Sequence, residues 1–529
     1  LSADHSIDMP GRREMKPDLN DRLKRLNEIG VALSVERDLN VLLERIIQEA
    51  RRFTYADAGT LYLVKDDHLT FEIAQNDTLK SFVGGRHGES NMPPVPLNKE
   101  SVSGYVAVTG ETLNIEDVYS EQQYQFEGPK SYDRMTGYRT TSLLAVPMQD
   151  HEDQIIGVLQ LLNATSQSGG EVVAFSRQEE ALIQSLASQA AVAINNVRLI
   201  QETEALFESF VRVMATAIDE RSPYTGGHIR RVAEMAMVMA EAVNACKEGP
   251  LAERGFSADE LNELRVAGWM HDIGKITTPE WVVDKPTKLT TIYDRIDLLR
   301  TRFTLIRQAV ELELLKREAA GEEREGLAEE RERRLAELED ELAFVERANT
   351  PGEFMADEDL ERLQEVGAKI FVCSGEEWPY LTENELYNLS IRKGTLTDEE
   401  RKKINDHAAL TIRMLEQIPF TRKLQQVPGI AGAHHEKLDG SGYPQGLGAE
   451  EISLQARILA LVDIFESLSA DDRPYKRAMP QELVLRILQE EVDFQHIDPA
   501  LFELFLQEKL YLKLDKIKAQ MAREQEQIG

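Results

Sequence analysis

The sequence predicts a multidomain α+β protein. An N-terminal antiparallel sheet with flanking helices is followed by a connecting helix and an all-α C-terminal domain that carries a long helical insertion. Three observations lead there. Short, β-rich apolar runs are confined to residues 59–163, helical periodicity takes over near Phe175 and persists beyond it, and 529 residues exceed what one hydrophobic core holds.

Residues 1–20 are polar and proline-punctuated and read as a flexible leader. From about 21 to 50, apolar residues recur at helical spacing: Leu26, Ile29 and Leu33, then Leu39, Leu42, Leu43 and Ile46. Strand-like stretches follow: "GTLYLV" at 59–64, "LTFEIA" at 69–74, "TLNIE" at 112–116, "SLLAVPM" at 142–148 and "IIGVLQLLN" at 155–163. The last two are near-continuous apolar runs separated by the charged turn "QDHEDQ", which predicts a hairpin at the middle of a sheet. Residues 180–215 then form a connecting or dimerisation helix. Its apolar positions Leu182, Ile183, Leu186, Ala190, Ile194, Val197 and Leu199 suit either packing within the chain or the seam of a parallel homodimer.

Everything beyond about 205 has helical character. Residues 290–347 are dense in charge, with i,i+4 Glu/Arg pairs, sparse apolar positions and Gly321 as a break, so they predict a protruding antiparallel helical hairpin. Residues 350–391 are expected to pack that insert back onto the domain.

A formal charge of −32 argues against a duplex nucleic-acid partner or an anionic membrane surface. Cys246 and Cys373 are too few for a disulfide framework or a cysteine-rich metal site. With no signal-peptide pattern and no bilayer-spanning apolar run, the expected location is the cytoplasm, without membrane insertion.

Chemistry concentrates in the C-terminal half. Five of the ten histidines and three aspartates stand out: His228, His271–Asp272, His407, His434–His435, Asp439 and Asp463. Imidazole nitrogens and carboxylate oxygens hold first-row divalent metals, and an aspartate can bridge two ions through its two oxygens. Two such ions clamp a phosphate and lower the pKa of a water between them, the apparatus of phosphoester hydrolysis. Periodicity through "LNELRVAGWMHDIGKI" places His271–Asp272 at a helix end, with Gly274 as terminator. Gly440, Gly442 and Pro444 break "HHEKLDGSGYP" into a loop. Asp463 sits inside the apolar run "ARILALVDIFESL", costly for a carboxylate unless it is paired or metal-bound.

Two resemblances follow from these segments. The helix–strands–hairpin–helix order over 21–198 resembles a GAF sensory domain, which implies an unidentified small-molecule ligand. Asn163, Phe175 and Glu179–Glu180 resemble the motif of cyclic-nucleotide-binding GAF domains, although Ala164 stands where the motif has lysine. On their own, these residues read as closing a loop and capping a helix. His271–Asp272 followed by "GK", with "HHEKLDGSGYP", "GGHIRRVA", "LTDEERKKINDHA", "LVDIFESL" and "DRPYK", resembles the HD-GYP branch of the HD metal phosphohydrolases over 205–515, with the insertion at 287–391.

That second resemblance implies a phosphodiesterase that converts cyclic di-GMP to pGpG or GMP. It implies His228, His271, Asp272, His407, His434, His435 and Asp463 as metal ligands, with Asp272 bridging. Asp272 and Lys275 would be catalytic. Lys275, Gly440, Gly442, Tyr443, Pro444, Arg473 and Lys476 would contact or frame the substrate, and Asp439 would orient a ligand histidine. Nitrogen and oxygen ligands fit iron, manganese, zinc or nickel, and the resemblance favours iron or manganese. Tyr224 replaces a glutamate that completes a third metal position in some members, so two ions are expected. Glu466–Ser467 replaces the Asp-Ala common after the aspartate. A cyclic dinucleotide receptor with little catalysis, and a phosphohydrolase acting on another nucleotide such as cyclic GMP-AMP, are the alternatives.

Overall fold

The structure is a computed structural model that describes residues 19–88, 92–166, 170–220, 227–351, 354–470 and 479–528. The leader therefore falls outside the described residues up to position 18. The chain divides into two compact units, residues 1–207 and 208–529.

The first unit is built around one antiparallel sheet. Helices α1 (Leu19–Val35) and α2 (Leu39–Thr54) precede strands β1 (Ala56–Lys65), β2 (His68–Asn76), β3 (Ser81–Gly84) and β4 (Val95–Pro96). Then come α3 (Val102–Thr109), β5 (Leu113–Ile115), α4 (Glu127–Thr136), β6 (Leu143–Gln149), β7 (Ile155–Thr165) and β8 (Val172–Val173). The main strand order is β3-β2-β1-β7-β6-β5, so the expected β6–β7 hairpin does lie near the middle. What reads as one helical stretch from 21 to 50 is two helices, because the Asp38 side chain caps a new start by accepting from the amides of Asn40 and Val41.

The apolar runs of β6 and β7 are continuous because both faces of the sheet are covered. Leu144, Val146, Leu159 and Leu161 join a core with α1, α2 and the start of the following long helix. Their neighbours Leu143, Ala145, Val158 and Leu162 face a second core with Tyr62, Val102, Phe126 and Tyr138. Asn163 has a left-handed backbone (φ 54°). Its side chain accepts from the amide of Thr141 and donates to the Arg139 carbonyl and the Tyr138 hydroxyl. Asn114 ties the Phe175 carbonyl to Glu180, and Glu179 accepts from the amide and hydroxyl of Ser176 at the start of the long helix. These residues close a loop and cap a helix.

Helix α5 (Arg177–Asp219) is continuous over 43 residues. Leu182, Ile183, Leu186, Ala190, Ile194 and Val197 are buried against the sheet, so most of the candidate seam is spent on packing within the chain. Val192, Leu199, Leu206 and Val213, spaced by seven, are exposed instead.

The second unit is mainly helical: α6 (His228–Ala245), α7 (Ala258–Met270), a tight turn at Ile273–Thr277, α8 (Glu280–Val283), α9 (Ile296–Ala319) and α10 (Arg324–Asn349). It continues with α11 (Asp357–Gly367), β9 (Ile370–Cys373), β10 (Glu376–Pro379), α12 (Glu383–Leu389), α13 (Asp398–Leu415) and α14 (Val427–Gly432). The last helices are α15 (Leu454–Ser469), α16 (Gln481–Asp493), α17 (Pro499–Gln507) and α18 (Lys513–Ile528). Among the described residues, no helix is long and apolar enough to cross a membrane.

The insertion holds the expected antiparallel pair, α9 and α10, reversed at Gly321 (φ 99°) and laced by exposed pairs such as Arg331–Glu311 and Arg300–Glu346. It is more than a solvated hairpin. Leu299, Phe303 and Ile306 of α9 share a core with Phe344 and Val345 of α10, Leu363 and Val366 of α11, Phe371 of β9, and Leu389. Nor is it wholly helical. Strands β9 and β10 pair through the turn Ser374–Gly375, whose two positive φ values match the twist of a tight hairpin.

The root of the insertion is a buried ion pair. Lys285 donates to both Glu400 oxygens (2.9 and 2.8 Å) and to Asn388 Oδ1 (3.1 Å), with no exposed surface on its side chain. Glu400 also closes the capping box of α13 with Thr397.

Candidate metal centre

Five helical segments deliver the site. His228 is the first residue of α6, and His271 and Asp272 follow the last residue of α7. His407 lies mid-way along α13, His434 and His435 follow α14, and Asp463 lies inside α15. Thr411 binds two of these segments by donating to the His271 carbonyl and accepting from the Gly274 amide. Helix α7 stops at Met270, four residues before the terminator expected at Gly274, which lies in the tight turn and is a close-approach position instead: a Cβ on it would stand 2.0 Å from the His407 carbonyl oxygen. Gly274→Ala should push α13 away from Asp272 and lower turnover by at least about tenfold, since a displacement of an ångström in a positioned site costs that or more; steady-state kinetics on the folded variant would check this.

The histidines are presented in one sense. Nδ1 of His271, His407 and His434 each lies on a main-chain carbonyl three residues earlier, of Gly268 (2.8 Å), Ile404 (2.5 Å) and Ala431 (2.6 Å). With the proton held on Nδ1, Nε2 keeps its lone pair for the cavity. Asp272 lies between two groups. Its Oδ2 is 3.6 Å from His228 Nε2 and 3.4 Å from His271 Nε2. Its Oδ1 is 3.4 Å from His407 Nε2 and 3.9 Å from His434 Nε2. Asp463 Oδ1 joins the first group, 3.2 Å from His228 and 3.8 Å from His271. Potential ligand atoms of His228, His271 and Asp272 cluster within 4.8 Å of one another, as do those of His407, His434 and His435.

Electrostatics match this donor set. Burial lowers His407, lowers His434 well below its usual value with the help of His435, and brings His435 to about 4, so all three present neutral rings. Burial opposes charge on Asp272 and Asp463, yet Lys275 and His271 hold Asp272 well below the ordinary carboxylate range, and His228 does the same for Asp463. His228 and His271 are the exceptions: despite burial, the Glu466 and Asp463 carboxylates push His228 up to about 10, and Asp272 raises His271. His271 Nε2 and Asp272 Oδ1 are buried without a hydrogen bond. Unsatisfied buried groups are rare and costly, and one cation on each side of Asp272 would satisfy them, the first by His271 Nε2 and the second by Asp272 Oδ1. The residues fit a metal centre.

Family models match residues 38–194 as a GAF domain and residues 225–348 and 378–501 as an HD domain. The chain is a GAF–HD protein. It is similar to the Vibrio cholerae 3'3'-cGAMP-specific phosphodiesterase 3, with 43% identity over 111 residues, 21% of this chain and 23% of that protein. It is also similar to the 3'3'-cGAMP-specific phosphodiesterase 1 of the same organism, with 24% identity over 298 residues, 56% of this chain and 41% of that protein. The matches thus span less than half of either relative's length. The solved GAF domain/HD domain protein from Geobacter sulfurreducens aligns at 18% identity over 32% of this chain and 98% of its own, with a TM-score of 0.22.

The remaining sequence expectations for the HD domain divide. Lys275 donates to Asp272 Oδ2 at 2.6 Å, at the edge of the centre. The Tyr443 ring packs on His435, centroids 4.8 Å apart, and precedes a cis bond to Pro444. Gly440 has φ 81°, and a Cβ on Gly442 would meet the Lys437 nitrogen at 2.4 Å. Asp439 does not orient a ligand histidine. It accepts from the amide and hydroxyl of Ser441 and lies 3.7 Å from His496, because the short side chain turns back on its own loop. Buried Glu436 holds that loop instead, accepting from the amides of Gln445 and Leu447. Tyr224, Arg473 and Lys476 lie outside the described residues.

The sequence shows Glu466 only as a departure from the family pattern and gives it no role in the site. Glu466 is fully buried and hydrogen-bonds His228 Nδ1 and Arg231 Nε. The available signal was a second carboxylate three residues after Asp463 on the same apolar helix.

Proposed function

We propose that this chain is a metal-dependent phosphodiesterase of cyclic dinucleotides, with cyclic di-GMP as its substrate and pGpG or GMP as product. The observation that carries the reading is Asp272, whose two oxygens face two separate groups of histidines. His228, His271, Asp463 and Asp272 would hold one divalent ion, and His407, His434, His435 and Asp272 the other, with iron or manganese as the expected metals. Bound ions would supply an activated water and neutralise the phosphate. The chain's own residues would do the rest: main-chain carbonyls fix His271, His407 and His434, Glu466 fixes His228, and Lys275 places a cation beside Asp272, where it would meet an anionic phosphate. Tyr443 and the glycine loop wall the site on the His435 side.

A second reading has 3'3'-cGAMP as the substrate, and the names of the two Vibrio relatives favour it. Metal-loaded, anaerobically prepared protein incubated with each dinucleotide separates the readings. Linear product from cyclic di-GMP at the higher kcat/KM supports the first, and preference for 3'3'-cGAMP supports the second. Retention of intact nucleotide over hours overturns both in favour of a receptor.

The GAF domain would take a small molecule and act through α5, whose exposed heptad-spaced Val192, Leu199, Leu206 and Val213 would pair with a second copy of the chain in a homodimer. Leu206→Glu should then convert dimers to monomers in light-scattering chromatography, and an unchanged mass would count against that pairing.

A further inference from the structure

Asp463 and Glu466 are three residues apart on α15, and His228 and Arg231 are three apart on α6, so each pair shares a helix face. The two faces meet. His228 Nε2 lies by Asp463, His228 Nδ1 bonds one oxygen of Glu466, and Arg231 Nε bonds the other. His271, His407 and His434 lean on neutral main-chain carbonyls at Nδ1, whereas His228 leans on a formal charge.

We infer that Glu466, held by Arg231, is a positioning residue that makes the two cation positions unequal, favouring the one formed by His228, His271, Asp463 and Oδ2 of Asp272. This rests on the two-position reading proposed above. A carboxylate accepting the Nδ1 proton fixes the ring and increases the donor strength of Nε2. The same side already holds Asp463 as well as its share of Asp272, while the opposite side offers three neutral histidines and its share alone. Arg231 balances the charge that two nearby buried carboxylates would otherwise leave uncompensated, and it fixes the Glu466 side chain.

The test is Mn²⁺ uptake by the chelator-treated full chain, read from the paramagnetic resonance signal of free Mn²⁺. The unaltered protein should bind two ions in distinct tight and weak steps. Glu466→Gln keeps the size of the side chain but removes its charge. It should weaken the tight step by about 10–100-fold and leave the weak step in place, so that the two approach each other. Glu466→Asp, which restores the charge, should recover part of the loss, and Arg231→Met should shift the same step in the same direction. Unchanged affinities in Glu466→Gln, or an equal fall of both steps together with the melting temperature, would overturn the assignment. Uptake of fewer than two ions by the unaltered protein would instead remove the two-position reading itself.

Discussion

Asp272→Ala should lower kcat/KM for the cyclic dinucleotide by at least about 10³-fold, a loss of about 4 kcal/mol in transition-state stabilisation. The size follows from where the carboxylate stands. It is the residue with one oxygen toward His228 and His271 and the other toward His407 and His434, so in the proposed two-ion reading its removal would take a ligand from both positions at once. It also removes the contact between Lys275 and Asp272. Elemental analysis should show metal content falling with activity. Asp272→Asn, which keeps the shape and one oxygen, should retain more metal than the alanine variant while remaining strongly impaired. Hydrolysis at the unaltered rate by either variant would refute the site.

The largest expected effect on stability lies away from the metal centre. Lys285→Met should destabilise the unit spanning 208–529 by about 3–5 kcal/mol, because it strands the buried Glu400 carboxylate. For a unit of that size this amounts to a drop of about 4–7 °C in its melting transition by calorimetry. The double variant Lys285→Met, Glu400→Gln should recover most of the loss. Glutamine at that position can still accept the Thr397 amide and complete the cap of α13, while the buried negative charge is gone. If the double variant were less stable than the single one, the ion pair would not be the source of the effect. Since α13 carries His407, the single variant should also lose metal affinity.

The legible parts of this protein were those whose signal is local. Continuous apolar runs announced β6 and β7, and the apolar setting of Asp463 announced a paired or metal-bound carboxylate. The histidines are readable because imidazoles next to aspartates have few other uses in a helical core. Signals that depend on distant partners stayed hidden. Lys285 and Glu400 are 115 residues apart and look like two surface charges. Glu466 reads as a departure from a family pattern until α6 is seen against α15. Strands β9 and β10 were missed because four residues each, flanked by helix formers, leave no period to detect. The α5 positions were read as one set, although only the contacts of the first unit decide which face remains open.

The root of the insertion has a further consequence. Thr395 donates to the Lys285 carbonyl and Lys285 reaches Asn388, so the two ends of the segment expected as an insertion meet at one point of the HD domain. To the rest of that domain, the segment between is a loop whose ends already touch. The entropic cost of such a loop grows only with the logarithm of its length. The loop-closure cost of adding or removing residues there is therefore small, and what such a change costs is set by the core that the segment builds from α9, α10, α11 and β9.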